Sequence, residues 1–227
     1  MARREVQRMS EFRRDYGLRA ERFALRDFFI NRPNRARLVR HDMSLVASDC
    51  TGGVLSHDLR LRFNSPTVNF FFMAEDYLRF VTAPERYLTE RMEPVVDSGY
   101  DYPVAQLADI RLYLVHYASI AEAQAAWDRR AARLDLTHAW YILNDRNEFT
   151  EEHLARFDAL PLEHKVCFVH RRDWADRYAS AYYIRGFEQQ DEVGIMTAFP
   201  GKINIRRNVD QFDYVSWFNS GQWKNRS

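Results

Sequence analysis

The chain has 227 residues, of which 46% are hydrophobic and 29% are charged, and its formal net charge is +1. This composition is typical of a globular protein with one sizeable core and argues against intrinsic disorder. No apolar run approaches the roughly 20 residues of a membrane-spanning helix, and we expect no secretory signal. The two cysteines, Cys50 and Cys167, lie far apart in sequence and fit a reducing cytoplasm better than a disulfide framework.

Positive charge is concentrated in residues 1–41, which hold twelve arginines and five acidic residues. Ser10 is a candidate N-cap for a helix that runs to about Ile30, and the connector Asn31-Arg32-Pro33-Asn34 follows it. Four apolar residues fall on one side of this helix: Phe12, Tyr16, Phe23 and Ile30. The helix either packs this stripe on the domain or lies on an anionic membrane surface. We therefore divide the chain into a basic amphipathic N-terminal arm, 1–41, and a single domain, 42–227.

A strand, a glycine turn and a helix are predicted in succession between residues 45 and 61. This geometry places side chains and backbone N–H groups at the carboxyl edge of a sheet. Candidate ligand-binding residues in the turn are Asp49, Cys50, Gly52 and Gly53. Two candidate catalytic residues, His57 and Asp58, open the predicted helix. A second turn before the apolar run 68–73 adds three candidate ligand-binding residues: Asn64, Ser65 and Thr67.

Each of these residues also has a purely structural interpretation. The potential at a helix N-terminus could stabilise a nucleophilic thiolate at Cys50, but the residue could equally pack as a small buried side chain, and Asp49 would oppose ionisation. The two glycines permit the close backbone approach of a diphosphate, and they equally suit a tight strand-to-helix turn. No dinucleotide-binding or Walker motif supports the first interpretation.

The rest of the chain alternates between helical and strand patterns. Predicted helices cover 74–90 with an interruption at Pro84, a segment beginning at the capping box of Ser119, 150–159 and 209–218. Predicted strands cover 104–107 and 110–115, which form a hairpin, and 140–143, 166–169 and 181–184. The alternation predicts an α/β fold, a three-layer α/β/α domain with a mixed sheet, preceded by the basic N-terminal helix.

Two further candidate groups follow predicted strands. His116 ends the hairpin, where it could act as a base or be a satisfied core histidine. Asn144, Asp145 and Arg146 close another strand, and an acid with a guanidinium suits a sugar hydroxyl and a phosphate. A surface ion pair in a turn is the alternative for this group. The histidines and cysteines lack metal-ligand spacing, so we expect neither a metal site nor a cofactor.

As a set, these motifs resemble a family of bacterial "exopolysaccharide biosynthesis" proteins, domain of unknown function 1919. The resemblance rests on Cys50-x-Gly52-Gly53, His57-Asp58-Leu59, Asn64-Ser65-Pro66-Thr67, Tyr102-Pro103-Val104, His116-Tyr117, Trp127-x-x-Arg130, Asn144-Asp145-Arg146 and Phe157-Asp158-x-Leu160-Pro161. It runs from about residue 41 to 190 and adds Tyr117 and Arg130 to the candidate ligand-binding residues. This chain departs from the family pattern at Ser48, Asp49, Thr51 and Arg60.

The resemblance implies a transferase of bacterial surface polysaccharide assembly. We expect a cytoplasmic glycosyltransferase that uses a nucleotide-sugar donor and a lipid-linked glycan acceptor, with inner-membrane contact through residues 1–41 and no nucleic-acid partner. The candidate catalytic residues are His57, Asp58, His116 and Asp145. One alternative is an acyl- or other group transferase that acts through Cys50 or a histidine. Another is a non-catalytic assembly protein.

Overall fold

The computed structural model describes residues 20–96, 98–201 and 203–223, and its strands form two sheets. The strands in chain order are β1 Ser44–Ala47, β2 Met92–Pro94, β3 Val104–Leu107, β4 Ile110–Tyr113, β5 Ala139–Asn144, β6 Lys165–Val169 and β7 Ala181–Tyr183. Strands β1, β5, β6 and β7 lie side by side in that order and are all parallel. Strands β2, β3 and β4 form a separate antiparallel sheet.

Seven helices surround these sheets in the described chain. They are α1 over 20–37, α2 Thr51–Leu59, α3 Ala74–Thr82, α4 Ile120–Ala131, α5 Glu151–Ala159, α6 Arg172–Arg177 and α7 Tyr214–Ser220. Short 3₁₀ turns cover Pro84–Arg86, Leu136–His138 and Asn208–Gln211. None of the helices within the described residues is long and apolar enough to cross a membrane.

The parallel sheet is covered on both faces, as the apolar runs of its strands predict. In β5, Trp140 and Ile142 join one hydrophobic cluster, which includes residues of α2 and α7. Tyr141 and Leu143 join the other cluster, with residues of α3, α4, α5 and the antiparallel sheet. The predicted α/β fold is thus confirmed. The hairpin of β3 and β4 pairs with β2 in its own sheet, so no single mixed sheet forms.

Helix α1 continues past the residue where the sequence predicts its end. A π-helical turn over Asp27–Asn31 leads directly into the α-helical part Arg32–Arg37. Pro33 lies in the first turn of that part, where a missing N–H costs little. The predicted cap Ser10 and the stripe residues Phe12 and Tyr16 lie outside the described residues.

Helix α1 packs on the domain through its other predicted stripe residues and one arginine. Ile30 is buried, Phe23 touches the ring of Phe199, and Arg26 is fully buried. The Arg26 guanidinium contacts the carboxylates of Asp58 and Asp210. These long-range contacts join the described part of the arm to the domain.

Candidate functional site

Side chains from three neighbouring strands meet at the carboxyl edge of the parallel sheet. Asp49 follows β1, Asn144 and Asp145 close β5, and His170 follows β6. Asn144 Nδ2 donates a hydrogen bond of 2.9 Å to Asp49 Oδ2, which links the first two loops. The backbone N–H of His170 donates to Asp145 Oδ2 at 2.8 Å, which links the second and third. Ligands of open α/β sheets bind at this edge.

Asp145 and His170 form a buried carboxylate–imidazole pair. Asp145 Oδ2 lies 2.5 Å from His170 Nδ1, and Asp145 Oδ1 accepts a 2.7 Å hydrogen bond from the N–H of Val193. A carboxylate at Nδ1 favours the tautomer with its proton on that nitrogen, which leaves Nε2 as a proton acceptor. Burial raises the pKa of Asp145, although the hydrogen bonds from His170 and Val193 act in the opposite direction.

His170 borders an open depression of about 390 Å³ on the protein surface. The depression is also lined by Arg171, Arg172, Asp173, Tyr183 and Glu188. The His170 side chain is only 11% exposed, so the ring forms part of its wall. A base beside guanidinium groups could take a proton from a hydroxyl while an anionic group binds nearby.

Asp49 organises the opposite side of the same edge. Its Oδ1 accepts a 2.9 Å hydrogen bond from the N–H of Thr51, so Asp49 caps the start of α2. The structure gives no hydrogen-bond partner among the described residues to three nearby buried atoms: Ser48 Oγ, Thr51 Oγ1 and Asn144 Oδ1. Buried polar groups are normally paired, so these three atoms are exceptions, and each of them is closed off from solvent.

The environment of Cys50 disfavours a thiolate. Burial, together with the neighbouring charge of Asp49, raises the pKa of the Cys50 thiol to about 12. The favourable potential at the N-terminus of α2 is offset because the Asp49 carboxylate already occupies it. Cys50 therefore lies at the predicted edge but lacks the ionisation that a nucleophile needs.

The glycines of the turn are explained by helix–strand packing. A Cβ atom on Gly52 would lie 2.9 Å from Ala47 Cβ, and one on Gly53 would lie 3.1 Å from Val68 Cγ1. Both glycines are buried, and they allow α2 to approach β1 and the segment after the second turn. This packing accounts for both residues without a bound diphosphate.

His57 and Asp58 lie in the last turns of α2, away from the carboxyl edge. The His57 side chain is 82% exposed. Asp58 Oδ2 accepts hydrogen bonds from Arg26 at 3.0 Å and from Arg207 at 2.7 Å inside the domain. The structure therefore places the predicted catalytic residues His57 and Asp58 away from the carboxyl edge: His57 faces solvent, and Asp58 belongs to a buried ion cluster.

The second turn lies along the free edge of β1. Ser44 Oγ donates to the carbonyl of Asn64 at 3.2 Å, and the N–H of Ala47 donates to Thr67 Oγ1 at 3.0 Å. Ser65 Oγ lies 3.0 Å from Thr67 Oγ1. These side chains satisfy backbone groups that an edge strand would otherwise expose. The second turn thus stabilises strand β1, and its side chains do not contact the Asp145–His170 pair.

Tyr117 and Arg130 form a hydrogen-bond network of their own, separate from the groups at the carboxyl edge. Arg130 Nη1 donates to the Tyr117 hydroxyl at 2.6 Å, and that hydroxyl donates to the carbonyl of Val68 at 2.8 Å. Both residues are buried and tie α4 to the segment after the second turn. His116 is exposed in the turn that follows β4. The predicted base at His116 thus lies outside the cluster at the sheet edge.

Arg146 fastens a late segment of the chain to this edge. Its Nη1 donates to the carbonyl of Val193 at 3.1 Å, and its Nη2 lies 3.2 Å from Glu192 Oε1. The N–H of Val193 in turn donates to Asp145. Arg146 is therefore a positioning residue for the segment beside Asp145, whereas the sequence predicts a direct phosphate contact.

Aromatic rings and unusual backbone form the wall beyond Asp49. The N–H of Phe72 donates to the carbonyl of Ser48 at 2.9 Å, which places the 69–73 loop at the end of β1. Phe71 stacks on Tyr113 with ring centroids 4.7 Å apart, and Tyr100 stacks on Tyr102 at 5.1 Å. Three non-glycine residues around this wall have positive φ angles: Asn69 at 70°, Asn147 at 61° and Glu148 at 63°. Such conformations concentrate at functional sites.

Sequence reasoning missed His170 and the aromatic wall. In the sequence, His170 lacks metal-ligand spacing and belongs to none of the motifs that identify candidate residues. The available signal was its position directly after a short buried strand, the same signal that selected Asp145. The pairing of these residues joins positions 25 apart in sequence, and no local pattern encodes it.

Comparisons with known proteins agree with the extent of this domain. The model of a family described as "Domain of unknown function (DUF1919)" matches residues 22–219, so the match includes α1 and begins well before residue 41. An uncharacterized protein of Haemophilus influenzae is 40% identical over 192 residues, which cover 85% of this chain and 91% of that protein. The chain belongs to the DUF1919 family.

Proposed function

We propose that the protein is a glycosyltransferase that transfers a sugar from a nucleotide donor to a hydroxyl of a lipid-linked glycan during bacterial surface-polysaccharide biosynthesis. The observation that carries the transferase proposal is the Asp145–His170 pair at the carboxyl edge of the parallel sheet. The polysaccharide and the lipid-linked acceptor rest on the resemblance described from the sequence motifs.

The proposed reaction uses His170 as a general base. Its Nε2 accepts the proton of the acceptor hydroxyl while the hydroxyl oxygen bonds to the anomeric carbon of the donor sugar. The bond between that carbon and the diphosphate oxygen breaks, and its electron pair leaves with the nucleoside diphosphate. Asp145 holds the imidazole and stabilises its cationic form. Arg172 lines the adjacent depression, where it suits the charge of the leaving diphosphate.

The acceptor side of the proposed site is the region of Asp49 and Asn144. Asn144 is buried and holds the half-buried Asp49 carboxylate through their hydrogen bond, and this carboxylate can accept from a sugar hydroxyl. The loop that carries Phe71, whose ring stacks on Tyr113 of β4, is held to the end of β1 by the hydrogen bond from Phe72 to Ser48. Binding sites commonly combine a few fixed polar groups with aromatic walls.

An acyl transferase is the runner-up proposal, in a form that does not use Cys50 as the nucleophile. The raised pKa of Cys50 argues against a covalent acyl-cysteine intermediate, but a carboxylate–imidazole pair can also activate a hydroxyl toward an acyl donor. The donor separates the two proposals: turnover of a nucleotide sugar supports glycosyl transfer, and turnover of an acyl thioester supports acyl transfer.

Calorimetric titration against a panel of nucleotide sugars and nucleoside diphosphates tests the proposal, followed by turnover assays with the donor that binds. The variant His170→Gln keeps a polar side chain of similar size but lacks a general base. Turnover should therefore fall by about 100-fold or more, while donor binding changes little. His57→Gln is the matched control because His57 is exposed on α2, and its turnover should equal that of the wild type.

Two results would contradict the proposal. If no nucleoside diphosphate or nucleotide sugar binds the wild-type protein, the donor assignment fails. If His170→Gln restores surface glycan fully in cells that lack the wild-type gene, His170 is not a catalytic residue. That second result would favour the non-catalytic assembly protein.

A further inference from the structure

Helix α1 exposes a cluster of large apolar side chains on its outward side. Leu25 is 49% exposed, Phe28 58% and Phe29 57%, whereas Arg26 and Ile30 on the inward side are buried. The rings of Phe28 and Phe29 touch edge to face, with centroids 4.9 Å apart. Of the stripe expected from sequence, Ile30 is buried, whereas Phe23 is 50% exposed where its ring meets Phe199. A second apolar group, on the outward side of the helix, faces solvent.

The outward face is fixed in this orientation by the buried side of the helix. Arg26 Nη2 donates to Asp58 at 3.0 Å and to Asp210 at 3.1 Å, and Arg26 Nη1 donates to the carbonyl of Ile205 at 3.0 Å. Rotating α1 to bury its outward residues would withdraw this guanidinium from both carboxylates. The apolar cluster therefore remains on the surface while the domain is folded.

The segment packed beside α1 adds to the apolar surface. Phe199 contacts Phe23, with ring centroids 5.7 Å apart, and the same segment exposes Ile195 at 55% and Ile203 at 96%. Single exposed apolar residues are common on protein surfaces, but grouped ones mark interaction sites. Through the contact of Phe199 with Phe23, this partly apolar segment lies beside α1.

The charge around this face selects the kind of partner. Residues 20–41 contain six arginines and two acidic residues, but three of the arginines are neutralised in ion pairs with acidic side chains: Arg26, Arg35 and Arg37. The exposed Arg32 guanidinium lies 5.4 Å from the centre of the Phe28 ring, directly beside the apolar cluster. Residues 1–19 add six arginines against three acidic residues. Apolar side chains among cations are typical of helices that lie on anionic bilayers, whereas the cores of protein–protein interfaces are depleted of charge.

We propose that the outward face of α1, formed by Leu25, Phe28 and Phe29 with Arg32 beside them, docks on the surface of an anionic lipid bilayer. The aromatic and leucine side chains enter the boundary between headgroups and acyl chains, and the arginines bind the lipid phosphates. The proposal is independent of the glycosyltransferase chemistry, because none of these residues belongs to the carboxyl-edge site.

Co-sedimentation of the full chain with vesicles of phosphatidylglycerol and phosphatidylcholine tests the proposal. The wild type should bind these vesicles in low salt, bind phosphatidylcholine alone about tenfold more weakly or worse, and dissociate as salt is raised. The triple variant Leu25→Ser, Phe28→Ser, Phe29→Ser should lose about tenfold or more in vesicle affinity. Val96→Ser is its control, since Val96 is 79% exposed elsewhere and should change vesicle binding less than twofold.

If the triple variant folds poorly, a single charge-reversal variant provides an independent test of lipid binding. Arg32→Glu should weaken binding to anionic vesicles severalfold and leave binding to phosphatidylcholine unchanged, whereas Arg91→Glu, at another exposed arginine, should have a smaller effect. The proposal is overturned if the wild type does not bind anionic vesicles, or if the folded triple variant binds them as well as the wild type. A dimer that the triple variant abolishes, without any lipid binding, would instead assign this face to a second copy of the chain.

Discussion

Replacement of Asp58 by asparagine should destabilise the protein strongly, because Asp58 balances two buried guanidinium groups. Its Oδ2 lies 3.0 Å from Arg26 Nη2 and 2.7 Å from Arg207 Nη1. Burial acts to lower the pKa of Arg26, but hydrogen bonds and charges from Asp210 and Asp58 together raise it. Burial lowers the pKa of Arg207, and the charge of Asp58 opposes that change. The substitution leaves two cations facing the single carboxylate of Asp210.

The expected loss is about 3 to 5 kcal/mol of unfolding free energy, the range for breaking a buried ion pair. With an m-value of about 3 kcal/mol/M, the midpoint of urea unfolding should fall by about 1 to 1.7 M. Asp42→Asn is the matched control, since the same substitution at an exposed aspartate should change the free energy by less than about 0.5 kcal/mol. An Asp58→Asn variant within 1 kcal/mol of the wild type would refute the buried-cluster explanation.

A second substitution sharpens this test. Arg207→Met in the Asp58→Asn background removes one of the two cations that lost its partner. The double variant should therefore be less destabilised than the sum of the two single variants, with a coupling of about 0.5 to 3 kcal/mol. Strictly additive losses would show that Asp58 and Arg207 do not interact as the 2.7 Å distance indicates.

Three further predictions concern the carboxyl edge. Because its pKa is about 12, Cys50 should react with iodoacetamide at pH 8 at least about 100-fold more slowly than a free cysteine. Cys50→Ser should also keep transferase activity. Rapid alkylation of Cys50 would contradict this prediction. Gly52→Ala should cost about 1 to 3 kcal/mol in urea unfolding, since the new Cβ would lie 2.9 Å from Ala47 Cβ, and an unchanged midpoint would show that α2 can shift freely. Because burial raises the pKa of Asp145, its protonated form stabilises the fold at low pH, and this contribution is lost as pH rises through the raised pKa. The free energy of unfolding of the wild type, relative to that of Asp145→Asn, should therefore fall from acid to neutral pH. A rise over the same range would contradict the burial argument.

The sequence predicts the parallel sheet well because its strands are encoded locally. Residues 140–143 and 166–169 are short apolar runs bounded by polar residues, and β5 and β6 contain them. The capping box at Ser119 also forms, with its side chain accepting from the N–H of Glu122 at 3.2 Å. Asp49, Cys50, Asn144 and Asp145 were placed at the carboxyl edge for the same reason, since each follows a predicted strand.

Local sequence patterns do not predict contacts between residues that lie far apart in sequence. The contact of Asp145 with His170 spans 25 positions, and the contact of Asp58 with Arg207 spans 149. Polar residues near one another in sequence, such as His57 and Asp58, can differ sharply in burial, because successive positions of a helix point in different directions. The predicted end of α1 near Ile30 is wrong for a local reason: the π-helical turn allows Pro33 in the first turn of the next helical segment.

The most direct test of the central proposal is an NMR titration of the histidine side chains with the nucleotide sugar that binds best. The proposal predicts that the imidazole nitrogens of His170 shift as donor is added, with His57 unmoved, and that Asp145→Asn alters the His170 tautomer before any ligand is present. Saturable donor binding that shifts other histidines and leaves His170 unchanged would place the site elsewhere and contradict the account.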